Sequence, residues 1–252
     1  MTDQPPATAA GVAAPLGRES VTGLILAGGQ ARRMREAAER GAGGPPMLPD
    51  CLADWQGWDK GLVLLDGQPL LWHAQRFLAP QVARLLISAN RYLELYGRYG
   101  EAFGDDPTLG DAQGPLAGIA TALARIHTPW LAVLPVDVPH PPADLFVRLA
   151  AALHEDGRAR VAFASIRDGD TERDQPLCML LHSSLQEDIR AFLFAGERRV
   201  RSWLGRVGAL RVHFQGGEGV FGNINTPQDL AMMAGPVPRA PRAPHRSQCR
   251  KS

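Results

Sequence analysis

Short apolar runs alternate with segments of helical spacing along most of the chain. The runs Val21–Leu26, Arg84–Ser88, Trp130–Val136, Arg160–Ala164, Leu177–Leu181 and Leu210–Phe214 read as strands. Between them, Pro69–Leu78, Leu116–Ala124, Pro142–Leu153, Ser184–Phe194 and Pro227–Met233 carry apolar residues at helical spacing. Strand and helix alternate throughout, and there is no internal repeat. The pattern predicts one α/β domain of three-layer αβα, Rossmann-like architecture, with a mostly parallel sheet and ligand chemistry at the carboxyl ends of its strands. The expected domain covers residues 20–235. A small-residue, Pro/Ala-rich tail precedes it (1–19), and a basic, proline-spaced tail expected to be disordered follows (236–252).

Composition narrows the functional classes. An apolar content of 45% in 252 residues is enough for a full core. The balance of 27 Lys/Arg against 26 Asp/Glu lacks the global positive field of a nonspecific nucleic-acid binder. Five of the basic residues and no carboxylate fall in Pro236–Ser252, so the rest of the chain is net negative and any anion site must be built locally. Cys51, Cys178 and Cys249 are an odd number without C-x-x-C spacing, which predicts a reducing, cytoplasmic setting. No apolar run approaches the roughly 20 residues of a membrane span, and the first residues lack a signal pattern. A soluble protein with no nucleic-acid or membrane partner is expected.

The polar and glycine-rich segments fall at the predicted strand ends. In "LILAGGQARRM" the first strand runs into Ala27, Gly28 and Gly29, whose lack of bulk lets a ligand approach backbone N–H groups, and Arg32 and Arg33 follow within reach of an anion. The same AGG also suits an ordinary turn after a buried strand, and neither the P-loop nor the dinucleotide fingerprint is present. In "DKGLVLLDGQPLLWHA", Lys60 precedes a short apolar run, a turn at Asp66–Gly67 and a helix begun by Pro69; it is either a phosphate-neutralising lysine or half of a solvated pair. "LLISANR" ends a strand in Asn90, whose amide can read a base or ribose hydroxyl, or cap the next helix. "DDPTLGDAQGPLAG" joins carboxylates to a small-residue turn, Gly114 to Gly118, against which a flat base can lie. "WLAVLPVDVP" ends in Asp137, a candidate Mg²⁺ ligand or a turn aspartate before Pro139. His73, His127, His154, His182 and His213 have no Ser or Cys partner at telling spacing and read as structural.

In this order the motifs resemble the molybdenum cofactor guanylyltransferases, the MobA type. The resemblance runs from about Thr22 to Leu230. It also takes in "QPL" at Gln175 to Leu177, "RRVRSWL" at Arg198 to Leu204 and "NINTPQDL" at Asn223 to Leu230. It implies a fold of the nucleotide-diphospho-sugar transferase type and transfer of GMP from GTP to molybdenum-bound molybdopterin, with release of pyrophosphate. By motif match it implies GTP binding by Leu26, Ala27, Gly28, Gly29, Lys60, Asn90, Asp106 and Asp137. Lys60 and Asp137 would be catalytic, and Asp137 would hold Mg²⁺. Asp105 and Asp111 compete with Asp106, because the spacing to GPLAG varies in such loops. Arg198, Arg199 and Arg201 with Asn223 and Asn225 are the candidates for the molybdopterin side; the arginines also suit a solvated basic helix end. The partners implied are GTP, the molybdopterin cofactor, a molybdenum-insertion protein, and recipient molybdoenzymes or their chaperones.

Two features depart from the family pattern. Its usual Pro-Cys-Asp is Pro-Val-Asp here, at Pro135 to Asp137. Where relatives pass from RM to DK in a few residues, Arg35 to Trp58 intervene, closing on Trp55 and Trp58. The expectation is one phosphate site with one insert, the insert serving as a lid over bound GTP or pterin; the competing reading is that Trp55 and Trp58 simply anchor the loop to the body. Two other readings stand beside the main one. The first is a CTP-using molybdopterin enzyme or sugar-1-phosphate nucleotidylyltransferase of the same fold. The second is a noncatalytic nucleotide-binding adaptor for the cofactor.

Overall fold

A computed structural model describes residues 16–28, 33–34, 36, 59–110, 114–169, 171–215 and 221–234. Gly29, Arg32, Asp111, residues 1–15 of the N-terminal tail, the 236–252 tail and nearly all of the Arg35–Trp58 insert, including Trp55 and Trp58, lie outside the described residues. The lid expectation lies there with them.

The chain enters through a 3-10 turn, Arg18–Ser20, tied to the body by Arg18 Nε donating to Val82 O at 2.6 Å. It then forms β1 (Val21–Leu26), a small hairpin of β2 (Leu64–Leu65) and β3 (Gln68–Pro69), β4 (Arg84–Ser88), β5 (Glu101–Phe103) and β6 (Trp130–Pro135). β7 (Val161–Asp168), β8 (Thr171–His182) and β9 (Leu210–Gln215) complete the strands. Seven of them make one sheet in the order β5-β4-β1-β6-β8-β7-β9. β1 lies parallel to both β4 and β6, β5 is parallel to β4, and β9 to β7; β8 alone runs antiparallel to its neighbours.

Alternation along each strand splits the core into two layers, one on each face of the sheet. Ile25, Ile87, Ala132, Leu134 and Leu180 face the helices Leu70–Leu78 and Leu145–Asp156. Their neighbours Leu24, Leu86, Leu131, Val133 and Met179 face Pro115–Leu123, Gln186–Phe194 and Val200–Arg206. A strand buried on both sides needs apolar residues at every position, which is why these strands appear as unbroken apolar runs in the sequence. After β1 the chain leaves over one face to β4, and it reaches β6, on the other side of β1, over the opposite face. β1 is therefore the switch point of the sheet, where a crevice opens beyond the strand ends.

β1 and β4 match their expected limits, and β6 and β9 match within a residue. β7 and β8 are longer than the apolar runs Arg160–Ala164 and Leu177–Leu181. The added stretch is a polar hairpin pairing Arg167 with Glu172, and a register shift at Phe163/Ala164 interrupts the alternation. The helix Val200–Arg206 was not expected as an element, because the arginines around it hide a buried pair, Trp203 and Leu204. Trp203 is fully buried, and its Nε1 donates to Asp188 Oδ1 at 3.0 Å. Trp203→Ala is expected to cost about 3–5 kcal/mol of unfolding free energy, a large part of a typical domain's stability, measured by urea denaturation. Val147→Ala, at a 56% exposed position, should change it by less than about 0.5 kcal/mol.

Candidate active site

The site is assembled where β4, β1 and β6 end side by side. Their ladders continue one residue past each strand: Ala27 N donates to Ser88 O, Ala89 N to Phe103 O, and Val136 N to Leu26 O. These bonds fix the backbones that carry Gly28, Asn90 and Asp137 around one cleft of about 630 Å³. That volume lies within the range of about 300–1,000 Å³ usual for small-molecule sites. Leu26, Gly28, Asp59, Lys60, Ser88, Asn90, Arg91, Asp105, Gly114, Pro115 and Asp137 are among the lining residues. Among the described residues, a Cβ built on Gly28 would come no nearer than 3.9 Å, to Ala89 and Asn90 backbone atoms. Its smallness leaves the backbone open to the cleft.

Lys60 reaches the cleft from a short 3-10 turn, Lys60–Leu62, which is set by a buried carboxylate. Asp59, 1% exposed, accepts from Gly61 N at 3.2 Å, from the Tyr96 hydroxyl and from Arg91 Nη2 at 3.2 Å. Burial pushes the Asp59 carboxyl up, against the opposing pull of Tyr96, Arg91 and the Gly61 amide. Burial likewise raises the Tyr96 hydroxyl, helped by the Asp59 charge, so it stays a donor. A Cβ on Gly61 would lie 2.5 Å from Tyr96 Oη, so only glycine lets the turn close onto this ring. The Asp-Lys-Gly triplet is thus a positioning device: a carboxylate anchored inside, a lysine directed outward, and a glycine that permits the contact.

The Lys60 ammonium is held at both sides. Nζ lies 2.6 Å from Asp137 Oδ2 and 2.6 Å from Asn225 Oδ1, with Lys60 and Asp137 only 13% and 17% exposed. An ammonium has donors only, so Asn225 must present its carbonyl oxygen. Asn225 is fixed by its own loop. Phe221, in the left-handed region at φ 53°, and Ile224 are fully buried, and Ile224 N donates to Asp137 O at 2.9 Å. The helix Pro227–Met233 then starts with a capping box in which Asp229 Oδ2 accepts from Asn225 N and Thr226 N. Burial by itself would raise the Asp229 carboxyl, but the hydrogen bonds from Asn225 and Thr226 and the Lys60 charge outweigh it and lower it.

The cleft also holds a second polar pair. Asn90 Nδ2 donates to Asp105 Oδ2, and Asp105 N donates to Asn90 Oδ1, both at 2.9 Å. Burial raises the Asp105 carboxyl, and the Asn90 hydrogen bond only partly offsets this. Asp106, the residue matched from sequence, is engaged elsewhere. It caps the turn Pro107–Leu109 through Thr108 and pairs with Arg190 at 3.0 Å, contacts that lower its carboxyl to about 2.

Of the expected residues, Leu26, Gly28, Lys60, Asn90 and Asp137 line one cleft, while Ala27 is buried directly behind it. Asn225 touches Lys60, on the nucleotide side of the expected division of labour. The arginines expected for the molybdopterin side are not brought to this cleft. Arg198 Nη1 donates to Leu193 O and Glu197 O, at the end of the helix Gln186–Phe194. Arg199 is the exposed residue that starts the next helix. Arg201 lines a separate depression with Asp174 and Arg211. Asn223 sits half-buried in the Phe221–Thr226 loop. Val136 in the Pro-Val-Asp segment is buried and bonds to β1 through its backbone N–H, a contact that valine and cysteine make alike. Sequence reasoning missed Asp59, Tyr96, Arg91 and Asp229. For Asp229 the T-x-x-D spacing of a capping box was a readable signal.

The MobA-like NTP transferase domain model matches residues 23–212. A molybdenum cofactor guanylyltransferase of Burkholderia vietnamiensis is 41% identical over 220 residues, covering 85% of this chain and 96% of that protein. One from Shewanella amazonensis is 38% identical over 215 residues, covering 85% and 95%. The crystal structure of molybdopterin-guanine dinucleotide biosynthesis protein A from Archaeoglobus fulgidus superposes with a TM-score of 0.59 at 21% identity, covering 84% of this chain and 96% of that one. The motifs that converge on the cleft fall within the matched span or directly after it, and the chain belongs to the MobA-like NTP transferase family.

Proposed function

We propose that the chain transfers GMP from GTP to molybdenum-bound molybdopterin, releasing pyrophosphate and forming the guanine dinucleotide form of the cofactor. The observation that carries this reading is Lys60 Nζ, fixed between Asp137 and Asn225 in the same cleft as the Asn90–Asp105 pair. Full-length relatives named guanylyltransferases support GTP over the CTP and sugar-phosphate alternatives. A lysine fixed for phosphate chemistry argues against a passive adaptor.

The nucleophile is a phosphate monoester. With a second pKa near 6 it is largely dianionic at neutral pH and needs no strong general base. The obstacle is the approach of one anion to another. Lys60 places an ammonium where charge builds at the α-phosphate, and the open backbone at Gly28 orients the nucleotide. Asp105 and Asn90 face the base. A carboxylate accepts from the N1–H and amino group of guanine, whereas adenine has a bare ring nitrogen at N1.

Asp137 fits Mg²⁺. It is a hard oxygen donor at a strand end inside the cleft, and this ion typically takes one or two carboxylates and completes its shell with phosphate and water. Bound there, the ion would neutralise phosphate charge as a Lewis acid.

Turnover with GTP, CTP and ATP, each with Mg²⁺ and molybdopterin-loaded protein, tests the activity directly. Pyrophosphate and guanine dinucleotide should form with GTP, and equal or better turnover with CTP would refute the substrate assignment. Lys60→Ala is expected to lower kcat by about 10²–10³ with a smaller change in the KM for GTP; wild-type kcat would remove Lys60 from the chemistry.

Asp105 and Asp106 should separate cleanly. Asp105→Asn is expected to raise the KM for GTP about tenfold or more and erode discrimination against ATP, because a charged acceptor facing the base is lost. In the wild type the same KM should rise as pH falls through the raised Asp105 pKa, and Asp105→Asn should abolish that dependence. Asp106→Asn should leave both kinetic parameters unchanged and act on acid stability instead. A folded-state carboxyl near 2 against 3.8 unfolded contributes stability that is present above the unfolded value and lost as pH falls toward 2. The variant should therefore lose less stability than wild type across that window in acid denaturation.

A further inference from the structure

We propose that Lys60 seals the metal-binding carboxylate of the free protein, so that divalent metal joins Asp137 together with the nucleoside triphosphate and not before it, while Asn225 keeps the ammonium in place during the exchange. This rests on the reading of Asp137 as the metal ligand.

Lys60 Nζ stands 2.6 Å from Asp137 Oδ2, and both side chains are largely withdrawn from water. A divalent cation approaching Asp137 meets a fixed positive charge at hydrogen-bond distance from its own ligand, in surroundings that screen the repulsion weakly. A triphosphate removes this conflict, because its oxygens accept from the ammonium and supply the remaining metal ligands. Metal and triphosphate therefore favour each other's binding through one side chain, a reciprocal coupling of the kind linkage requires.

Asn225 determines where Lys60 goes. Its Oδ1 gives Nζ a second acceptor at 2.6 Å that carries no charge and that no magnesium–phosphate cluster needs. The loop behind it is immobilised by the buried Phe221 and Ile224, by Ile224 N on Asp137 O, and by Asp229 on the Asn225 and Thr226 amides. When Asp137 turns to the metal, the ammonium remains anchored and directs its freed proton at phosphate. Without Asn225, the aspartate is the one side-chain partner left to Lys60 among the described residues, and the ammonium would stay paired to it. Asn225 is thus a positioning residue that acts through Lys60.

The test uses Mn²⁺ as a paramagnetic probe, titrated by electron paramagnetic resonance into the full chain without nucleotide. Wild type is expected to bind it weakly. Lys60→Met, which keeps length but removes charge, should bind Mn²⁺ at least about tenfold more tightly. Lys60→Gln is the second variant, in case the first fails to fold, and should show the same gain. The double variant Lys60→Met/Asp137→Asn should lose it. Asn225→Ala should leave Mn²⁺ binding as weak as in wild type. Its kcat should fall while the KM for GTP changes little, and Asn225→Asp, which restores an acceptor oxygen, should recover more of kcat than Asn225→Ala. Equal Mn²⁺ affinity in wild type and both Lys60 variants, with binding still lost in Asp137→Asn, would overturn the sealing while leaving Asp137 as the ligand. A gain that survives the Asp137→Asn change would overturn both the sealing and the metal assignment. Unchanged kcat in Asn225→Ala would overturn its positioning role.

Discussion

The ammonium of Lys60, held 2.6 Å from a charged acceptor and 2.6 Å from a neutral one, is the interaction on which the rest of the site depends. Its three participants come from separate parts of the chain: a turn after the insert, the end of β6, and a loop near the last helix, up to 165 residues apart. A cation confined this tightly needs each support to be rigid, and each support has its own device. Asp59, buried under Tyr96 and Arg91, sets the turn; Val136 N on Leu26 O fixes the strand end; the Thr226–Asp229 capping box and two buried apolar side chains fix the loop. None of these devices is itself the chemistry. Together they fix one positive charge in the cleft, and in the proposed reaction that charge meets phosphate without reorganisation.

The sheet makes this convergence possible. β1 is flanked by β4 and β6, which the chain reaches over opposite faces, so the polar segments following all three strands open into the same crevice. The two core layers hold these strands from both sides, leaving the strand ends as the place where polar groups gather. Family membership and site geometry then support each other. The relatives identify a nucleotidyltransferase, and the cleft holds the fixed lysine and the Asn90–Asp105 pair on which the proposed reaction draws.

Most of the fold was legible because a strand buried on both faces must be apolar throughout, and a helix lying on such a sheet must carry an apolar stripe. β5 escaped notice because three residues at a sheet edge carry no pattern. The polar part of the β7–β8 hairpin escaped because its residues extend past the packed layers. In the site, Gly28, Asn90 and Asp137 were readable from their placement at strand ends, and Lys60 from its place after the glycine-rich turn. Asp105 and Asp106 were not separable, since adjacent residues in a turn point apart and only the backbone decides which one faces the cleft. The contact of Asn225 with Lys60 was invisible for a different reason: no local pattern reports a hydrogen bond between segments so distant in sequence. The arginines at Arg198–Arg201 drew attention by charge, yet it is Trp203 and Leu204 just after them that pack into the core, and Arg198 is spent on helix-end carbonyls.

The most direct test of this account is a crystal structure with a non-hydrolysable GTP analogue and Mn²⁺, located by its anomalous signal. The account predicts guanine against Asn90 and Asp105, the α-phosphate beside Gly28 and Lys60 Nζ, Mn²⁺ on Asp137, and Nζ still bonded to Asn225. A nucleotide seated elsewhere, such as the Arg201–Arg211 depression, or Mn²⁺ on a carboxylate other than Asp137, would contradict it.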